Sequence, residues 1–91
     1  MEEDEESAFE MYKKAAECDY TEAMYHLGEC YEKGYGVEGD YSQAFYWYQK
    51  SAKAGNKDGM NALGRCYEDG IGVAKDETQA AYWFSKAEAN E

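Results

Sequence analysis

Apolar residues recur along this chain at the spacing of a helix. In residues 41–54, Ala44, Trp47, Tyr48, Ser51 and Ala52 fall at i, i+3, i+4, i+7 and i+8, which is one helical face. Residues 77–89 repeat the pattern with Ala80, Trp83, Phe84 and Ala87, and the start of the chain does so with Ala8, Met11, Tyr12, Ala15 and Ala16. A second kind of segment turns Met24, Leu27, Gly28 and Tyr31 to one side over 21–33, and Met60, Leu63, Gly64 and Tyr67 over 57–69. The pattern predicts an all-α protein of five antiparallel helices, at 5–18, 21–33, 41–54, 57–69 and 77–89, without strands.

The connectors carry stop and start signals. Gly34-Tyr35-Gly36-Val37 and Gly70-Ile71-Gly72-Val73 each put glycine just past a helix, where a left-handed residue closes the last turn. Each valine then returns the loop to the core. Asp40 and Asp76, each followed three residues later by a glutamine, read as N-caps. Gly55 and Asn56 close the unit between them. Gly28 and Gly64, inside helices, cost about 0.5–1 kcal/mol relative to alanine. That cost predicts close approach of a partner helix, with Trp47 beside Gly28 and Trp83 beside Gly64, both rings largely buried.

These elements belong to a repeat. Residues 20–55 and 56–91 align without a gap and share 15 identities, from Met24/Met60 through Gly34/Gly70 and Trp47/Trp83 to Lys50/Lys86. Residues 1–19 carry half the register, since Ala8, Phe9, Tyr12 and Lys14 stand 36 before Ala44, Phe45, Tyr48 and Lys50. The expected organisation is an acidic half repeat at 1–19 and full repeats at 20–55 and 56–91, together one domain. A fixed period of this size marks a stacked array, in which each unit buries its apolar face only against its neighbours. Glu10 and Glu88, standing where other units have Tyr46 or Ala52, give both ends a polar finish.

The motif Leu-Gly-x-x-Tyr-x-x-Gly-x-Gly-Val-x-x-Asp-x-x-x-Ala-x-x-Trp-Tyr/Phe-x-Lys at 27–50 and 63–86 resembles the Sel1-like repeat, a branch of the tetratricopeptide-like helical hairpins. The resemblance implies a right-handed α/α superhelix whose first helices line a concave face, and a role as an adaptor in protein complexes. One branch of that family is cysteine-rich, with a disulfide inside each repeat and an associated penicillin-binding or penicillin-hydrolysing activity. Where that branch carries cysteine this chain has Ala52 and Met60, so the activity is the alternative reading. A minimal array, natural or engineered, with no dedicated ligand is another.

Charge narrows the partners. The net charge of −11 excludes a basic nucleic-acid surface. Glu2, Glu3, Asp4, Glu5 and Glu6 supply much of it and suit the positive end of a helix dipole. No stretch approaches the roughly 20 apolar residues of a membrane helix. The acidic N-terminus is unlike a signal peptide. Three cysteines are an odd number for a disulfide framework; Cys30 and Cys66, equivalent in adjacent units, are expected to be free thiols, as in the cytoplasm.

Candidate chemistry is sparse. Glu22, His26 and Cys30 at i, i+4 and i+8 could form a dyad or part of a zinc site, but the next unit has Asp58, Ala62 and Cys66. The cysteine recurs without its histidine, which points to packing. The Gly-x-Gly loops follow helices rather than strands and lack a Gly-Lys-Ser/Thr run. No catalytic constellation, metal site or cofactor is expected.

The site expected instead is a surface. Outward positions of the first helices in this register are Glu22, Tyr25, Glu29, Glu32 and Lys33, then Asp58, Asn61, Arg65, Glu68 and Asp69. Six carboxylates against two cations leave this face at −4, with Tyr25 as an aromatic anchor. A basic or mixed-polarity peptide suits such a groove. Tyr25→Ala and Arg65→Glu are then expected to alter binding without disturbing the fold.

Overall fold

The structure, a computed structural model, describes residues 4–89. Five helices follow one another: α1 (Glu5–Glu17), α2 (Thr21–Lys33), α3 (Tyr41–Lys53), α4 (Lys57–Asp69) and α5 (Glu77–Ala89). There is no strand among the described residues. Glu2, Glu3, Asn90 and Glu91 lie outside them.

The caps set these limits. Gly34 and Gly70 end α2 and α4 in the left-handed conformation, at φ 72° and 74°. Asp40 accepts from the amides of Ser42 and Gln43, and Asp76 from that of Gln79. Asn56 caps α4 by accepting from the Gly59 amide at 2.8 Å. Asp4 accepts from the Glu6 amide, so part of the acidic run serves the α1 N-terminus. The second loop glycines meet a further demand. Gly36 and Gly72 have φ of 75° and 73°, and a Cβ on either would strike the backbone of Glu5 or Tyr41, at the start of α1 or α3. Each loop thus closes over the first turn of the preceding second helix.

Each helix packs on its sequence neighbours, and α2 and α4 also touch one another. Among the described residues α1, α3 and α5 make no such approach to each other. The array therefore bends toward α2 and α4, which form its inner side. Leu27, Leu63 and Tyr48 are fully buried between the layers, and Val37 and Val73 return the loops to the core as expected.

Three expectations need correction. The rings against the helix glycines are Tyr48 at Gly28 and Phe84 at Gly64, not the tryptophans. Trp83 is 8% exposed, packed with Met60 and Leu63, whereas Trp47 is only half-buried against the cluster of Met24 and Leu27. Trp47 and Tyr48, like Trp83 and Phe84, are successive residues about 100° apart around the helix, and in each pair it is the second ring that lies over the glycine. Met11, in the place of Trp47, is 67% exposed, because among the described residues no helix lies on that side of α1.

Cys30 and Cys66 are buried and unpaired, while Cys18 is free and exposed. Burial pushes the Cys30 thiol up and that of Cys66 up to about 12. Both therefore stay protonated and unreactive near neutral pH. A disulfide-exchange reagent should titrate Cys18 alone in the folded protein, and all three thiols after denaturation. Rapid reaction of a second thiol under native conditions would contradict this packing.

Candidate functional site

Arg65 reaches back from α4 to the end of α2. Its Nη1 donates to Glu32 Oε2 and its Nη2 to Glu32 Oε1, both at 2.8 Å, a two-pronged pair. From α3, the Tyr48 hydroxyl donates to the same Oε1 at 2.6 Å. The Arg65 guanidinium, helped by Tyr48, holds the Glu32 carboxyl below the usual carboxylate range although burial opposes it. In return the Glu32 hydrogen bond raises Arg65, while burial and Glu32 raise the Tyr48 hydroxyl. Three helices of two repeats thus meet at one carboxylate.

The face expected to bind a partner is divided by this arrangement. On α2, Tyr25 donates to Glu29 Oε2, and His26 Nδ1 lies 3.2 Å from Glu29 Oε1. His26 Nε2 is 3.8 Å from Glu22, and its ring stacks on Tyr12 at 4.9 Å. Cys30 faces the core instead, so the Glu22–His26–Cys30 cluster does not assemble. No group of His, Cys, Asp and Glu among the described residues is arranged to hold a metal ion.

Further along, Tyr25, Asp58, Asn61, Ala62, Arg65, Glu68 and Phe84 line a cleft of about 350 Å³. Tyr25 also approaches Tyr48, at 5.9 Å between ring centroids, and burial together with Glu29 pushes its hydroxyl above its ordinary value. Of the ten residues read from the sequence, Tyr25, Asp58, Asn61, Arg65 and Glu68 share this cleft. Glu22 and Glu29 lie with His26, Glu32 is bound internally, and Lys33 and Asp69 stand exposed at the ends of α2 and α4. Arg65 is a structural residue here: a carboxylate in its place would oppose Glu32, so Arg65→Glu would disturb the fold.

Two aromatic residues escaped the sequence reading, Tyr48 as donor to Glu32 and Phe84 as a wall of the cleft. One signal pointed to both. Glu32 recurs as Glu68 on a face that otherwise varies, and a ring stands 20 residues beyond each helix glycine.

The Sel1 repeat matches residues 1–20, 21–56 and 57–90. The chain belongs to the Sel1 repeat family. A Sel1 repeat protein from Oxalobacter formigenes superposes with a TM-score of 0.94 at 33% identity, over 96% of this chain and 25% of that one. A protective antigen of uropathogenic Escherichia coli with an SLR fold gives 0.86 at 34% identity, covering 89% of this chain and 17% of the antigen. Helicobacter pylori cysteine-rich protein B gives 0.84 at 34%, covering 89% and 61% respectively. This chain thus spans a quarter or less of the first two. Comparison with curated protein sequences gives no significant match. The fold is the all-α, right-handed repeat superhelix of these Sel1 proteins. Ala52 and Met60, where the cysteine-rich branch places cysteine, lie together in one apolar cluster of this Sel1 array.

Proposed function

We propose that this Sel1 array is a non-enzymatic protein-interaction module that holds a short basic segment of a partner on its α2–α4 side. Sel1 repeats in general mediate protein–protein contacts, which supports the broad reading. The observation that carries the finer one is the cleft between Tyr25 and Phe84. Asp58 and Glu68 line it with exposed carboxylates that form no ion pair among the described residues, whereas Arg65 is already engaged by Glu32. A lysine or arginine entering there gains carboxylates below and aromatic faces beside it.

Two first helices span about 20 Å at 8–10 Å each, and an extended peptide covers about 3.3 Å per residue. Roughly six residues are engaged, which suits micromolar rather than nanomolar affinity. The test is fluorescence anisotropy against a library of labelled hexapeptides of graded charge. Basic members should bind, Tyr25→Ala and Asp58→Asn should each weaken binding about three- to tenfold, and added salt should weaken it further. Binding indifferent to both substitutions and to salt would remove this surface from consideration. Turnover of a chromogenic β-lactam, which we expect to be absent, tests the alternative.

A further inference from the structure

With 20 acidic residues against nine basic ones, this chain offers each cation a choice of carboxylates. Lys53 and Lys86 are nonetheless exposed and form no ion pair among the described residues. They stand on α3 and α5, the two walls of a hollow of about 570 Å³. That volume lies within the range of ligand clefts, roughly 300–1,000 Å³. The buried Ala52 and Met60 and the exposed Ala54 and Ala89 also line it, and no carboxylate among the described residues does. Glu88, also on α5, borders a different hollow with Lys57.

Trp83 lines the same hollow and supplies the second observation. It is 8% exposed, held between the Met60 and Leu63 cluster and Tyr82, whose ring meets it edge-on at 5.0 Å. Its indole N–H makes no hydrogen bond, yet no buried side-chain nitrogen or oxygen among the described residues lacks a partner. The N–H therefore reaches open space, and the open space that Trp83 lines is this hollow. Lysines in the last turns of α3 and α5 suit the helix dipoles without any ligand. A dipole asks nothing of the indole, however, and leaves its donor unanswered.

We infer that this hollow on the α3–α5 side docks an acidic segment of a partner protein, whose carboxylates meet Lys53 and Lys86 and accept from Trp83 Nε1. The side chains offer donors only, which fixes the sign of the guest. Exposed residues at its edges leave the hollow open, as a segment of chain requires, and the alanines leave room for an apolar side chain beside the carboxylate.

The preceding repeat serves as an internal comparison. One period earlier the same places hold Glu17 for Lys53, Asp19 for Gly55, Lys50 for Lys86 and Lys53 for Ala89, around Met24 and Trp47. Two carboxylates and two lysines cancel there, whereas the later hollow carries +2. Methionine and tryptophan are common to both repeats, but the unopposed cations belong to one. The anion preference is thus a property of this repeat and not of hairpin stacking in general. The hollow shares no residue with the Tyr25 cleft, so the array can hold guests of opposite charge at once.

The probe is an acetylated, amidated hexapeptide of alternating glutamate and leucine, with its glutamine counterpart as control. Each is titrated at physiological salt into the isotope-labelled 91-residue protein, whose two indole N–H signals are followed by NMR. Trp47→Phe removes one signal and so assigns the other to Trp83. The acidic peptide should move the Trp83 signal saturably, and the glutamine peptide should leave it in place. Lys53→Glu, which installs the residue of the earlier repeat, should weaken binding about tenfold, and Lys86→Gln about threefold. Both lysines are exposed, so circular dichroism should show the fold intact in these variants. Lys53→Gln should weaken the acidic peptide and leave the basic hexapeptides bound as before, so the two surfaces stand or fall separately. A Trp83 signal unmoved at millimolar acidic peptide, movement of the Trp47 signal alone, or equal affinity for the parent and Lys53→Glu proteins would each overturn the docking site.

Discussion

Gly28→Ala should destabilise the protein by about 2 kcal/mol, the net of opposing effects. Alanine is the better helix former by about 0.5–1 kcal/mol. Its methyl, however, would press on Tyr48 at 2.6 Å, and overpacking of a tight core costs about 1–3 kcal/mol or more. Tyr48 cannot yield cheaply: it is 0% exposed, and its hydroxyl is tied to Glu32 at 2.6 Å. For a domain of this size the loss corresponds to a fall in Tm of roughly 8–16 °C. Gly64→Ala is the matched control. Phe84 is half-exposed and has no hydroxyl to anchor it, so its ring can swing outward, and the net change should stay within about 1 kcal/mol. Thermal melts of the two variants decide the matter. If Gly64→Ala is as costly as Gly28→Ala, the tethered ring is not the source of the effect.

Glu32→Ala should be comparably damaging. It strips Arg65 of its bidentate partner and leaves the Tyr48 hydroxyl buried without an acceptor. Breaking a fully buried pair costs about 3–5 kcal/mol. The Arg65 side chain is 39% exposed against 10% for Glu32, so solvent compensates part of the cost, and about 2 kcal/mol is expected. The pH dependence carries the sharper signature. Because Arg65 lowers the Glu32 carboxyl, the ionised group stabilises the fold above the ordinary carboxylate value, about 4.3. That contribution is lost as pH falls through the lower folded-state value. Glu32→Gln should therefore be less stable than the parent at neutral pH, with the difference shrinking on acidification in urea titrations. A gap of constant size from neutral to strongly acid pH would show that the charge on Glu32 contributes nothing.

Much of this was legible in the residues alone. Helix limits followed from Gly34, Gly70, Asp40, Asp76 and Asn56, because caps and left-handed glycines act within a few residues and need no tertiary context. The 36-residue period marked a stacked array, and with the Leu-Gly and Gly-x-Gly-Val motifs it marked the Sel1 family. That glycines 28 and 64 accommodate a close neighbour was also readable from their cost, paid twice at one register.

Which ring sits over each glycine was not readable. Trp47 and Tyr48 are adjacent and both belong to the apolar face, and only the crossing of α2 and α3 decides between them. The division of the charged face has the same origin. Glu32 and Arg65 are 33 residues apart, and on a helical wheel each is an ordinary outward charge. Packing of α4 against α2 and α3 makes one the buried counter-ion of the other, and turns an expected ligand contact into a structural tie. Local sequence determined where each helix begins, ends and turns its apolar side, because those are short-range matters of backbone and capping. The pairing of side chains across helices was decided by the tertiary structure, because it depends on interhelical angle and distance that no single repeat encodes by itself.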